Sequence, residues 1–104
     1  MKTEIEMKMI SPKELREWMS AEKKFQLIDV REEHEVAEVT IGGVHIPMDQ
    51  VIVRMNEIEN TMPVVIHCKS GRRSSAVVQT LERKFGLSNL YSLEGGIAAY
   101  IEAQ

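Results

Sequence analysis

The chain has 104 residues, 43% hydrophobic and 28% charged, with 13 basic against 16 acidic side chains and a formal net charge of -3. These values fit a single globular domain over 1–104; they exclude a disordered chain and give no basic footprint for nucleic acid. No apolar run approaches the ~20 residues of a membrane-spanning helix, and charge in Met1-Lys2-Thr3-Glu4-Ile5-Glu6 argues against a secretory signal, so the expectation is a cytoplasmic protein.

Ser11-Pro12-Lys13-Glu14 predicts a helix start, with Ser11 as cap, Pro12 in the first turn and Glu14 completing a capping box. Leu15, Trp18 and Met19 give that helix one apolar face. Gln26 to Val30 reads as a strand, and acidic Glu32 to Val39 as a short helix. Gly42-Gly43 marks a turn, and Pro47 limits a short strand around His45-Ile46. A second amphipathic helix is expected from Asp49 to Glu59, with Val51, Ile52, Met55 and Ile58 on one stripe. Pro63-Val64-Val65-Ile66-His67 is apolar without alternation, as in a strand covered on both faces. A helix from about Arg73 to Phe85 carries Val77, Val78, Leu81 and Phe85, with Gly86 as its C-terminal cap. Leu90 to Leu93 reads as a strand, and Gly95-Gly96 turns into a last helix with Ile97, Tyr100 and Ile101. Most of the seven methionines fall on these apolar stripes and read as core filling. Strands alternating with helices predict an α/β domain with a mostly parallel sheet. Ligands of such sheets bind beyond the carboxyl ends of the strands, here after Val30, His67 and Leu93.

One cysteine, Cys68, excludes an intramolecular disulfide and a cysteine metal cluster. His34 and His45 have no metal spacing with each other or with Cys68, so no metal is expected. Cys68 lies at a strand end, in Cys68-Lys69-Ser70-Gly71-Arg72-Arg73-Ser74, where a helix begins. Unpartnered backbone amides, the helix dipole and the cations Lys69, Arg72 and Arg73 all favour an anion at the loop's centre. Gly71 permits a loop conformation that a side chain resists. A thiol in such a place has its pKa lowered to roughly 3.5–7.5 and becomes a nucleophile without a separate base. The alternative, an inert buried thiol, leaves the three cations and the glycine unexplained.

This loop resembles the active-site loop of the rhodanese family of sulfurtransferases. Leu27-Ile28-Asp29-Val30-Arg31-Glu32 is similar to the family's Asp-x-Arg strand end. His45-Ile46-Pro47 is similar to its His-Ile-Pro element, and Leu93-Glu94-Gly95-Gly96-Ile97 to its Gly-Gly turn. The resemblance spans about Ile10 to Tyr100. It implies a rhodanese-like sheet of about five strands flanked by helices, and a persulfide on Cys68. Cysteine-dependent phosphatases resemble His-Cys-x5-Arg; here Arg73 follows Cys68 with four residues between, a smaller cradle suited to one extra sulfur atom.

The resemblance implies that Cys68 takes sulfur from a small anionic donor such as thiosulfate and passes it to cyanide, a thiol or a sulfur-carrier protein. No cofactor is implied. Lys69 and Arg72 are candidates for binding the anions, or else solvated surface charges. Ser70 and Gly71 line the loop, and Arg73 binds the donor or holds the loop's geometry. Ser74 donates to the persulfide or caps the helix. By the same resemblance, Arg31 ties the strand end to nearby loops and Asp29 hydrogen-bonds near the pocket. His67 points to the opposite strand face from Cys68 and reads as a satisfied structural histidine. Gly95 and Gly96 bring the last turn close to the loop. Two features depart from the common pattern. Tyr100 stands where many members carry tryptophan, an altered pocket wall. Ile41 to Met48 is more similar to rhodanese domains attached to sulfur-carrier-activating enzymes. A low-turnover persulfide carrier or interaction module is the alternative function, and a small phosphatase or arsenate reductase a third. With no second thiol in the chain, the acceptor is expected to come from outside.

Overall fold

A computed structural model describes residues 7–103. The strands are β1 (Lys8–Ile10), β2 (Gln26–Asp29), β3 (Val44–His45), β4 (Val64–His67) and β5 (Leu90–Leu93). The helices are α1 (Pro12–Ser20), α2 (Glu33–Glu38), α3 (Arg72–Phe85) and α4 (Gly96–Glu102). The strands form one sheet in the order β1-β5-β4-β2-β3, and every pairing is parallel.

The sheet explains the apolar run in β4. Its four residues are all buried, because β4 lies between β2 and β5 with a core on each side. Ile28, Val30, Val64, Ile66, Cys68 and Leu90 share one core with Val77, Val78 and Leu81 of α3. Leu27, Val65 and Leu93 share the other with Ile10, Leu15 of α1 and Tyr100 of α4. The period of two along each strand assigns the faces. Cys68 therefore lies on the α3 side of the sheet and His67 on the other.

The expected helix ends form. Ser11 accepts from the Glu14 amide at 3.1 Å while its own amide donates to Glu14 Oε1 at 3.0 Å. Gly86 closes α3 at φ 70°, donating to the Glu82 carbonyl. Three expectations change. The stretch Asp49 to Glu59 is not a helix but two 3₁₀ turns, Met48–Gln50 and Met55–Glu57. Consecutive β-branched Val51-Ile52-Val53 is a poor helix former, and only Val51 of the three is buried; Val53 is 85% exposed. β1 has no counterpart in the sequence reading. It is a three-residue edge strand with one buried side chain, Ile10, too short to show a period. The described methionines do not fill the core. Met9 and Met48 are exposed, and Met7, Met19 and Met55 pack at its margins.

No described helix is long and apolar enough to cross a membrane.

Candidate active site

The loop after β4 takes its shape from two opposed sets of hydrogen bonds. Its carbonyls turn outward: the Cys68 and Lys69 oxygens accept from the amides of Ile97 and Ala98 at 2.8 and 3.1 Å. These amides belong to the first turn of α4, where helix donors have no intrahelical partner. The amides of the loop turn inward. Gly71 N–H donates to Cys68 Sγ at 3.1 Å and Ser74 N–H at 3.3 Å, and the Cys68 thiol donates to Ser74 Oγ at 3.6 Å. Gly71 occupies the N-cap of α3 at φ 101°, a left-handed conformation that suits glycine. Gly95 and Gly96 lie directly against the loop, as expected. A Cβ on Gly96 would sit 2.3 Å from the Lys69 carbonyl oxygen.

Cys68 is 1% exposed. Burial pushes its thiol up. Hydrogen bonds with the Ser74 amide, the Ser74 hydroxyl and the amides of Gly71 and Ser70 outweigh that, and its pKa falls below the ordinary value. The site is thus built to hold a sulfur anion.

The three cations part company. Lys69 and Arg72 are exposed and take part in no ion pair among the described residues. Arg73 is held by Glu35 of α2 through two hydrogen bonds of 2.8 and 2.9 Å. Those bonds, with a further one from the Glu32 amide, pull the Glu35 carboxyl down to about 2. Ser70 is exposed, and Ser74 is fully buried in the first turn of α3, donating to the Gly71 carbonyl at 3.2 Å.

Asp29 and Arg31 form a buried bidentate pair, with Nε and Nη2 of Arg31 donating to the carboxylate at 3.0 and 2.8 Å. Arg31 also donates to the carbonyls of Glu35 and Val39, so it ties the end of β2 to the end of α2. Asp29 spends both oxygens on Arg31 and does not reach Cys68. Burial works against its charge, but the Arg31 hydrogen bonds prevail and its pKa is lowered.

His67 is buried on the face away from Cys68, yet it is not satisfied. Neither ring nitrogen has a hydrogen-bond partner among the described residues. Asp29 Oδ2, at 3.8 Å, is too far to accept. Burial dominates, and the imidazole pKa falls to about 4. Tyr100 lies in the core opposite the one that holds Cys68. It packs in the α1 core, its hydroxyl 3.4 Å from Met19 Sδ and the Arg16 guanidinium over its ring.

Sequence reasoning missed two residues. Glu35, inside an acidic stretch, anchors Arg73. Ser92, on β5, lies 2.7 Å from the Ser74 hydroxyl. Its inward register, two residues after buried Leu90, was the available signal.

No group of three or more His, Cys, Asp or Glu among the described residues could hold a metal.

The fold and this loop define a parallel α/β domain with an ionisable cysteine at a central strand end. The chain belongs to the family of the rhodanese-like domain, whose model matches residues 11–103. It is 37% identical over 97 residues to YtwF of Bacillus subtilis, covering 92% of both chains. It is 36% identical over 75 residues to a protein of Allochromatium vinosum named sulfurtransferase, covering 71% of this chain and 69% of that one. The crystal structure of a rhodanese-related protein from Thermoplasma volcanium superposes with a TM-score of 0.80 at 29% identity, covering 92% of both chains.

Proposed function

We propose that the protein is a sulfurtransferase that carries sulfane sulfur as a persulfide on Cys68. The observation that carries this reading is the convergence of the Gly71 and Ser74 amides on Cys68 Sγ, at 3.1 and 3.3 Å. Preorganised donors of this kind stabilise a sulfur anion without rearranging. Family membership and the name of the Allochromatium relative support the same chemistry.

The proposed donor is a small anion such as thiosulfate. The Cys68 thiolate attacks its outer sulfur, a new S–S bond forms, and the old S–S bond breaks with its electron pair leaving on sulfite. The acceptor, cyanide in an assay or a thiol or sulfur-carrier protein otherwise, then attacks the terminal sulfur. Cys68 leaves as the thiolate. Two half-reactions through one covalent intermediate give ping-pong kinetics. In this reading Lys69 and Arg72 attract the anions; their exposure beside Cys68 supports it. Arg73 holds the loop from Glu35. That pairing also weighs against a phosphatase, which needs its loop arginine turned to the phosphate.

Mass spectrometry of the protein before and after thiosulfate tests the proposal. The expected result is one added sulfur atom on Cys68, absent in Cys68→Ser, and release of that sulfur as thiocyanate on adding cyanide. A chain that gains no sulfur from thiosulfate or any other persulfide donor overturns it. Slow turnover with cyanide but fast handover to one protein would favour the carrier alternative.

A further inference from the structure

A chain of three hydroxyls runs from the nucleophile into the protein. Cys68 Sγ lies 3.6 Å from Ser74 Oγ, Ser74 Oγ 2.7 Å from Ser92 Oγ, and Ser92 Oγ 3.3 Å from Ser75 Oγ. Ser74 and Ser92 are both fully buried. We propose that Ser92 is a positioning residue that holds the Ser74 hydroxyl as a donor to the Cys68 sulfur when that sulfur is anionic. This rests on Cys68 as the reacting group of the proposed function.

Counting hydrogens gives the direction. Each serine has one O–H to donate and lone pairs to accept. With Cys68 as a thiol, its S–H points to Ser74 Oγ, and Ser74 donates to the Gly71 carbonyl at 3.2 Å. With Cys68 as a thiolate, the S–H is gone and the sulfur needs a donor. Ser74 supplies it by turning its hydrogen from Gly71 O to Sγ. That is open only if Ser74 is not donating to Ser92. When Ser92 donates to Ser74, the Ser74 hydrogen stays available. Ser75, donating to Ser92, keeps the Ser92 hydrogen available in turn. Aligned in this way, each bond polarises the next toward the sulfur.

The placement of Ser92 is specific. It lies on β5, the strand beside β4, two residues after Leu90 on the same sheet face. A serine at that inward position breaks an apolar strand face, and the hydroxyl chain gives it a use. Charged and titratable groups around Cys68 are Lys69 on its own loop and Arg72 and Arg73 in the first turn of α3, Arg73 being held by Glu35 of α2. Asp29 and Arg31 stand at the end of β2, His67 on β4, and Glu94 at the β5–α4 turn. Replacing a serine hydroxyl leaves all of their charges unchanged.

The experiment is the pH dependence of Cys68 alkylation by iodoacetamide, on the full chain. It reads the thiolate directly and needs no sulfur donor. A failure of sulfur loading and a failure of the hydroxyl chain are therefore separate results. Ser74→Ala is expected to raise the alkylation midpoint by about one unit, since it removes a direct bond to the anion. Ser92→Ala is expected to raise it by about half a unit. The double variant should match Ser74→Ala alone, and Ser92→Thr should restore the native midpoint. An unchanged midpoint in folded Ser92→Ala overturns the proposal. So does a Ser92→Ala shift that is equally large in the Ser74→Ala background. If Ser92→Ala does not fold, half-buried Ser75→Ala takes its place: a smaller rise supports the chain, and an unmoved midpoint overturns it.

Discussion

Gly96 lies against the backbone of Lys69 so closely that a Cβ on it would sit 2.3 Å from the Lys69 carbonyl oxygen and 2.4 Å from its carbonyl carbon. The Cys68 carbonyl oxygen would be 2.7 Å away. These are main-chain atoms, and the Ile97 and Ala98 amides bond to the same carbonyls. Neither side can yield without pulling the loop after β4 apart. Gly96 also has φ +66°, where a side chain is strained before any clash. Gly96→Ala is expected to cost at least about 3 kcal/mol and to abolish sulfur loading of Cys68. Gly42→Ala is the control: its φ is +96° with nothing within 4 Å, so strain alone remains, about 1–2 kcal/mol. Urea denaturation of both variants checks the difference. Equal costs would show that the approach of α4 to the loop is not tight.

His67 makes the stability sensitive to mild acid. Its folded pKa is depressed from 6.5 to about 4. Between those values the unfolded chain takes up a proton that the folded chain refuses, so stability falls as pH falls. The loss begins near pH 6.5, is complete near pH 4, and amounts to about 3 kcal/mol. Asp29 adds a separate loss at lower pH, as its depressed carboxyl finally protonates. His67→Leu removes the first step and leaves the second. It also removes two buried nitrogens that have no partner among the described residues, so stability at neutral pH should hold or rise. Denaturation curves across pH for both proteins check this. A wild-type curve that is flat between pH 6.5 and 4 would sink it.

Much of this domain is legible in the sequence, and the residues show why. Cys68 is singled out because a thiol, a glycine and three cations in six residues have no simpler reading. The order of elements is legible because β4 is a short apolar run without alternation, buried along its whole length, while α3 carries a clear helical period. Asp49 to Glu59 fails because its stripe of Val51, Ile52, Met55 and Ile58 fits a helix, while the β-branched triplet inside it does not. A period records which side chains face the core; here 3₁₀ turns bury Val51 equally well. Inside the site, what is hidden is pairing. Arg73 reads either as a donor-binding cation or as a holder of the loop's geometry, and the partner that holds it, Glu35, is brought from 38 positions away. Ser92 passes unremarked inside the Leu90 to Leu93 strand until β5 sets it beside Ser74. His67 reads as a satisfied histidine because no sequence shows that its nitrogens lack a partner.

The Arg73–Glu35 pair should set the charge felt by Cys68 in opposite senses from its two ends. Arg73 and the sulfur attract one another when the sulfur is charged, and Glu35 offsets part of that field. Glu35→Gln leaves the cation without its counter-charge and should lower the alkylation midpoint of Cys68, by about 0.3 unit given screening. Arg73→Gln should raise it by a similar amount. Glu35→Gln keeps an Oε1 able to accept from the Glu32 amide, as the carboxylate does at 2.8 Å, so α2 should stay capped. Shifts of the same sign in the two variants would mean that loop geometry, not charge, is responding.

Arg31 is the residue whose removal should cost most among the charged ones. It is 2% exposed, and beyond Asp29 it donates to the Glu35 and Val39 carbonyls at 3.3 and 2.6 Å. Arg31→Met keeps most of the volume but strands a buried carboxylate and two carbonyls. Breaking a buried pair from one side costs about 3–5 kcal/mol, chiefly for the charge left behind. Adding Asp29→Asn to Arg31→Met removes that charge and should recover part of the loss, making the double variant more stable than Arg31→Met alone. Chemical denaturation at neutral pH of the native protein, both single variants and the double variant closes the cycle. If the double variant is no more stable than Arg31→Met, the cost lies in the severed ties to α2 and not in the stranded Asp29 carboxylate.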